Sequence, residues 1–374
     1  MTVRASADRV EALVMESGDA RSDGGRLLGG VSVQVHPRTT AAAAGPRGRG
    51  HRSSPPRGSG AVVSLPTPLR GWVRTAHRVG SRDMGLISAR RSWLFLPGAD
   101  REPLLQAATC GTDVAIQDLE DFTPATLKER ARGLSAEICA HWMEHGVEPA
   151  VRVRPLEEGG HVDTEAAVAA GAAIVVLAKA ENGDEVRALD RLISYHEGRA
   201  GRAHGVVEVC PTVESPGALL RLQEIASAST RVTSAILASE DLATNLGVSR
   251  TIDSTELHYA RSRFRLEAAA AGILAVDCPF TFDDAEGAVR DLTQSAALGY
   301  RAKSLVRPGD APLVNSTMGP DGHELERAAG LVAAFEQASA EGRAQVVFEG
   351  RIVELSAYTA ATRLLASEAD RTGK

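Results

Sequence analysis

Charged residues stand where short apolar runs end. SAILA stops at Ser239, Glu240 and Asp241; DVAI is followed by Asp118, Glu120 and Asp121; AVRVRP carries Arg152 and Arg154. Lys179 closes AIVVLAK, Glu214 closes VVEVCPTVE, Asp277 lies in ILAVDCPF, and Lys303 and Arg307 lie in AKSLVRP. A carboxylate at the tip of a buried run must be paired, hydrogen-bonded or bound to a metal. Gathered on one rim, alternating carboxylates and cations suit a hard divalent cation held by oxygen atoms. Guanidinium and ammonium groups beside it would meet anionic substrate oxygens.

What must gather these residues is a set of strands. Apolar runs predict strands at 92–98, 113–120, 150–155, 173–179, 206–214, 234–241, 273–280 and 302–308. Amphipathic stretches separate them, and several close on Gly, as helices do at their C-terminal caps. About eight β/α units predict an α/β chain folded as a TIM (β/α)8 barrel, with the active site at the C-terminal ends of the strands. The doubly wound alternative lacks a G-x-G-x-x-G after the first strand.

Composition narrows the function classes. The 374 residues are 43% hydrophobic and carry a formal net charge of −6, which argues against a protein built around nucleic-acid binding. Cys110, Cys139, Cys210 and Cys278 form no C-x-x-C pair, which suits reduced thiols in a cytoplasm. No apolar run is long enough to cross a bilayer, and the acids in MTVRASADRVEALVMESGDA argue against a signal or transit peptide. We therefore expect a cytoplasmic protein with neither a membrane nor a nucleic-acid partner. TTAAAAGPRGRGHRSSPPRGSG offers almost nothing to bury, so residues 1–88 are expected to be a disordered extension, with Met84 a candidate true start. The barrel is expected over 89–320 and a C-terminal helical extension over 321–374. His141 and His145 in HWMEH have helical spacing but no evident third ligand, and are expected on a surface helix face.

Several motifs together carry a resemblance. RRSWLFLPG, DVAIQDLED with P-x-x-L-K-x-x-A-R, VRVRPL, TVESPGALL, SEDLATNLG and ALGYRAKSLVRP are similar, in order and spacing, to the HpcH/HpaI aldolase and citrate lyase family, most of all its citrate lyase beta-subunit-like branch. The resemblance runs from about Arg91 to about Leu365. It implies a TIM barrel binding Mg²⁺ through Glu214 and Asp241, with Glu240 an orienting or loop residue. Asp241 as a helix N-cap and Glu214 as a first-turn residue remain the structural alternatives. Arg152 matches the family arginine that meets substrate carboxylate and carbonyl oxygens.

Arg154 stands where the family usually has Asn. Two residues on from Arg152 in a strand, it is expected to face the same side and to add a second cation for a more acidic substrate. Asp118, Glu120 and Asp121 align with the family's D-L-E-D run. Asp118 is placed among the catalytic groups and Glu120 among the substrate-binding ones, a plain salt-bridge role standing beside both. Lys179 and Lys303 match family lysines paired with those acids, and Lys303 is placed among the substrate-binding residues. Glu354, in FEGRIVE, stands at the Asp of the family's C-terminal motif, which reaches a neighbouring subunit's active site; an exposed helix residue is the alternative. Leu177-Ala178-Lys179 and Arg307-Pro308 depart from the family's L-P-K and H-P.

The activity implied is reversible carbon–carbon cleavage of a 3-hydroxy-acyl thioester such as citryl-, malyl- or citramalyl-coenzyme A. It would use Mg²⁺ in a homo-oligomer, a trimer or hexamer, whose C-terminal lid completes a neighbour's site. A metal-dependent pyruvate-type aldolase acting on free hydroxy-keto acids and a non-catalytic scaffold subunit are the rival readings.

Overall fold

A computed structural model describes residues 90–320, 322–343 and 346–372. The expectation for residues 1–88 lies outside the described residues.

Eight short strands form the barrel: β1 (Ser92–Pro97), β2 (Val114–Asp118), β3 (Glu148–Val153), β4 (Ile174–Leu177), β5 (Glu208–Val213), β6 (Ser234–Leu237), β7 (Leu274–Asp277) and β8 (Ala302–Leu305). Each pairs in parallel with the next, and β8 pairs with β1, so the sheet closes in sequence order as expected. The connecting helices are α1 (Arg101–Gln106), α2 (Lys128–Glu144), α3 (Gly160–Ala169), α4 (Gly183–Arg199), α5 (Pro216–Leu220), α6 (Leu222–Ser227), α7 (Ser239–Leu246), α8 (His258–Ala271) and α9 (Ala285–Ala297). After β8 come α10 (Ala311–Met318) and α11 (Gly322–Ala340). Among the described residues, no helix is long and apolar enough to cross a membrane.

Strand alternation divides the core in two. Trp93, Ile116, Ile174, Val176, Ile236 and Val276 fill the barrel interior, so it is packed rather than open. Leu94, Val151, Val175, Val209, Ala235 and Ala275 face outward into the layer beneath the helices. At the N-terminal floor, the Arg90 guanidinium hydrogen-bonds Glu148 and Glu208 at 2.6 and 2.8 Å, clasping the starts of β3 and β5. At the opposite end Gly98 lets the chain pass close to β2. A Cβ there would come within 2.1 Å of the Asp118 carbonyl oxygen, so only glycine fits.

The C-terminal extension is helical, as expected, but it also contains a hairpin that the helical reading missed. β9 (Val346–Phe348) pairs antiparallel with β10 (Arg351–Val353), followed by α12 (Leu355–Thr372). Glu349 and Gly350 turn the hairpin at φ 48° and 74°, the left-handed pair a two-residue type I′ turn needs. α11 and α12 pack together, with Phe335 stacked on Tyr358 at 4.7 Å between ring centroids. Glu368 of α12 pairs with Arg91 beside β1, tying the extension back to the barrel.

Candidate active site

Two adjacent strands deliver the first pair of groups. In the β2–β3 register Asp118 lies opposite Arg152, and both point to the barrel mouth. Arg152 donates from Nε to Asp118 Oδ1. The rest of the Asp118 carboxylate organises its own loop, accepting the Glu120 N–H at 3.0 Å and the Phe122 N–H at 2.6 Å. Arg152 Nη2 sits 3.3 Å from Glu120 Oε2 but is buried without a hydrogen bond. Phe95 and Phe122 flank the guanidinium, with ring centroids at 5.1 and 5.2 Å. Burial alone would lower its pKa; Asp118, Glu120 and Glu214 outweigh that, so the pKa is raised and the charge is fixed.

β5 and α7 deliver the second pair. Glu214, one residue beyond β5, is buried at 3% exposure. Its Oε1 accepts the Lys179 N–H at 3.1 Å and contacts the Thr212 hydroxyl. Its Oε2 is buried with no hydrogen-bond partner. Burial is the largest influence on this carboxyl and raises its pKa; Asp241 raises it too, and together they outweigh Thr212, the Lys179 amide and Arg152. Asp241 stands half-buried in the first turn of α7. The Asn245 side-chain amide donates to the main-chain oxygens of both Glu214 and Asp241, at 3.2 and 2.9 Å, fastening the two segments together.

Lys179 joins the two pairs. Its backbone is left-handed, φ 52°, a conformation that costs a non-glycine residue roughly 1–2 kcal/mol. That twist aims its N–H at Glu214, while its Nζ reaches Glu120 at 2.6 Å and Asp121 at 3.1 Å. The lysine therefore pairs with the acids expected for it. Burial lowers its pKa, but Glu120 and Asp121 outweigh it and the net direction is upward.

The donor set fits Mg²⁺. Glu214 Oε2 is an orphaned buried oxygen, and the carboxylate that raises its pKa, Asp241, belongs to the neighbouring segment. Among the described residues no group of three or more His, Cys, Asp or Glu side chains converges. Two carboxylates are enough for a cation that keeps several waters and takes substrate oxygens to complete its shell.

Three residues expected on the rim, Asp277, Lys303 and Arg154, lie elsewhere. Lys303 does not reach the mouth: its neighbour Ala302 fills the interior, so Lys303 points outward beneath the helices. There its Nζ meets Asp277 at 3.1 Å, Asp291 of α9 at 2.7 Å and the Cys278 carbonyl. Arg261 of α8 completes this buried cluster, and Asp277, raised by burial, is carried well below the usual carboxylate range by Lys303 and Arg261. Asp277 and Lys303 thus pin β7 and β8 to the helices. Arg154 likewise leaves the Arg152 face. β3 ends at Val153, and beyond it the Arg154 side chain turns to Asp163 of α3 at 2.7 Å and to the Glu158 and Gly159 carbonyl oxygens.

Glu354 is exposed at the junction of β10 and α12, outside the cluster formed by its own chain. Glu240 accepts from Thr281 and Arg250, and Arg307 is held by Asp310 and the Phe282 carbonyl. His141, on α2, and His145, capping its C-terminal end, lie together with ring centroids 4.3 Å apart. Sequence reading missed Thr212, Asn245, Phe122 and the backbone role of Lys179. The first two are polar residues spaced two and four from the acids they serve, a local signal that was available.

Comparison with known proteins places these features in context. Residues 91–308 match the model of the family described as HpcH/HpaI aldolase/citrate lyase. Citrate lyase subunit beta of Escherichia coli K12 is 32% identical over 286 residues, covering 76% of this chain and 94% of the relative. The mitochondrial citramalyl-CoA lyase of Mus musculus is 24% identical over 279 residues, covering 71% and 82%. Among solved structures, protein CitE of Mycobacterium tuberculosis in complex with magnesium, acetoacetate and coenzyme A aligns with a TM-score of 0.58 at 27% identity, over 76% of this chain and 98% of that one.

Proposed function

The chain belongs to the HpcH/HpaI aldolase/citrate lyase family and is a carbon–carbon lyase, and from that premise we propose that it cleaves, or forms in reverse, a 3-hydroxy-acyl-coenzyme A thioester with Mg²⁺ held by Glu214 and Asp241. The observation that carries this reading is the free, buried Oε2 of Glu214 beside Asp241, at the same barrel mouth as the braced Arg152.

In cleavage, the bond between the carbinol carbon and the carbon next to the thioester breaks. Its electron pair passes to the thioester side, the hydroxyl gives up its proton and becomes a carbonyl, and the thioester-side carbon takes up a proton. Mg²⁺, when bound, supplies a Lewis acid for the oxygens of the hydroxy-acid half. Arg152 orients that half through its carboxylate and stabilises negative charge developing on oxygen. Its own position is fixed before substrate arrives, because Asp118 holds Nε and two phenyl rings flank the plane. Glu120 and Asp121 hold Lys179, whose amide holds Glu214 Oε1 and leaves Oε2 for a ligand. Asp118 thereby acts as the positioning group for Arg152.

Proton delivery to carbon falls to Glu354 of an adjacent copy in a homo-oligomer, because its carboxylate, between β10 and α12, is exposed and stands apart from the cluster of its own chain, open to a neighbour's barrel mouth. The test pairs two variants. Glu354→Gln alone should lose turnover of coenzyme A esters yet bind Mg²⁺ by calorimetry, and Asp241→Ala alone should lose both. Mixed oligomers of the two should regain part of the activity, since some sites receive Glu354 from one chain and Asp241 from the other. Wild-type turnover by Glu354→Gln would overturn its assignment, and mixed oligomers without activity would overturn the sharing of sites between chains.

A further inference from the structure

Resting on the lyase reading above, we propose that the hydroxy-acid half of the substrate carries a single free carboxylate and a hydrogen or small apolar group on the carbinol carbon. That is the malyl or citramalyl pattern, rather than the two-carboxylate citryl pattern.

The first support is the balance of charge. Arg152 and Lys179 are paired with the acids at this part of the mouth, and Lys128 is held nearby on the Leu119 and Glu120 carbonyl oxygens. The carboxylates gathered with them are Asp118, Glu120, Asp121, Glu214 and Asp241. A divalent cation would offset much of this excess but not reverse it. Lys179 already donates to two of the acids, and Arg152 spends its Nε on Asp118. The two terminal nitrogens of one guanidinium suit one carboxylate.

The second support is where the other nearby cations go. Arg154 is drawn to Asp163 and two carbonyl oxygens, and Lys303 is buried beneath the helices on Asp277 and Asp291. Arg307 is held by Asp310 and the Phe282 carbonyl, and Arg250 pairs with Glu240 and Glu256. Each of these four cations of the same chain is engaged by an acid or a carbonyl oxygen of the fold, as is Lys128, whose Nζ donates to the Leu119 and Glu120 carbonyl oxygens at 2.8 and 2.6 Å. The residue that had favoured a more acidic substrate, Arg154, is one of them.

The third support is Phe122. Its ring lies beside the Arg152 guanidinium and 6.1 Å from Phe95, yet it remains 44% exposed. An exposed phenyl at the substrate cation favours contact with a methyl group. A carboxylate in the same place would lose water and find no donor in exchange. Phe122 is therefore the specificity-determining residue at this position.

The experiment compares kcat/KM for malyl-, citramalyl- and citryl-coenzyme A at fixed Mg²⁺, with calorimetric binding of the free acids malate, citramalate and citrate as a second readout. Both one-carboxylate thioesters should exceed the citryl thioester by at least about tenfold, and binding should follow the same order. Phe122→Ala should lower the ratio of citramalyl to malyl activity several-fold, whereas a merely structural role would lower both together. A citryl thioester used as well as the others overturns the inference. A citramalyl-to-malyl ratio unmoved by Phe122→Ala overturns the part assigned to Phe122. Cleavage of none of the three refutes the thioester reading proposed above, and the inference with it.

Discussion

Glu214→Gln separates the stability of the site from its ligand binding. The substitution keeps the shape of the side chain and removes its charge. With the amide oxygen placed as Oε1 now is, Gln retains the Lys179 N–H and the Thr212 hydroxyl contact. What it removes is a charged oxygen that is buried without a partner and repelled by Asp241. The amide NH2 that takes the place of Oε2 is still buried, but a buried unpaired charge costs more than a buried neutral polar group, so in chelator the variant should be the more stable protein by about 1 kcal/mol. For a domain of this size that corresponds to about 2–4 °C in Tm per kcal/mol. Mg²⁺ at about a hundred times its Kd should add about 2.7 kcal/mol to the wild type, and the variant should lose most of that gain. The order of stability therefore inverts when Mg²⁺ is added. Urea unfolding followed by circular dichroism, in chelator and in Mg²⁺, reads both effects. A variant that is weaker in chelator, or that keeps the full Mg²⁺ gain, would refute the reasoning.

Two further outcomes test other parts of the structure. At the left-handed Lys179, both Lys179→Gly and Lys179→Ala lose the pairing with Glu120, but only glycine relieves the backbone; the glycine variant should be the more stable by about 1 kcal/mol in urea, and the reverse order would contradict the turn. Glu197 is held by Arg231 and by the amides of Gly205 and Val207; burial alone would raise its pKa, but these partners push it down to about 2 from an ordinary 4.5. A depressed carboxyl contributes stability that is complete above about pH 4.5 and is lost as pH falls toward 2, worth about 3 kcal/mol here. Glu197→Gln should flatten that part of the urea-midpoint profile, and an unchanged profile would remove Glu197 as its cause.

The barrel was legible because each strand is a short apolar run and each run is followed by a helix. Side-chain direction was less legible. In strands buried on both faces the apolar residues do not alternate with polar ones, so nothing in LAVD or AKSL says which charges face inward. Asp277 and Lys303 were therefore counted at the mouth when they lie under the helices. Arg154 was misread for a different reason: the alternation rule holds only within a strand, and β3 stops one residue short of it. Glu214 and Asp241 came from motif resemblance, and the structure adds the orphaned oxygen and the Asn245 fastening beside them. The hairpin was available in FEGRIV, where E-G sits between two β-branched runs, but three-residue strands beside long helical patterns were absorbed into the helices.

Lys179 also limits how this enzyme can change over generations. Its main chain serves one acid and its side chain serves two others, so no single replacement is neutral for all three. Glycine suits the twist and abandons Glu120; arginine supplies a cation but keeps the strain. Inherited variation at the mouth is accordingly steered toward positions that serve a single partner, such as Phe122, whose ring flanks Arg152 while Asp118 still holds the guanidinium Nε.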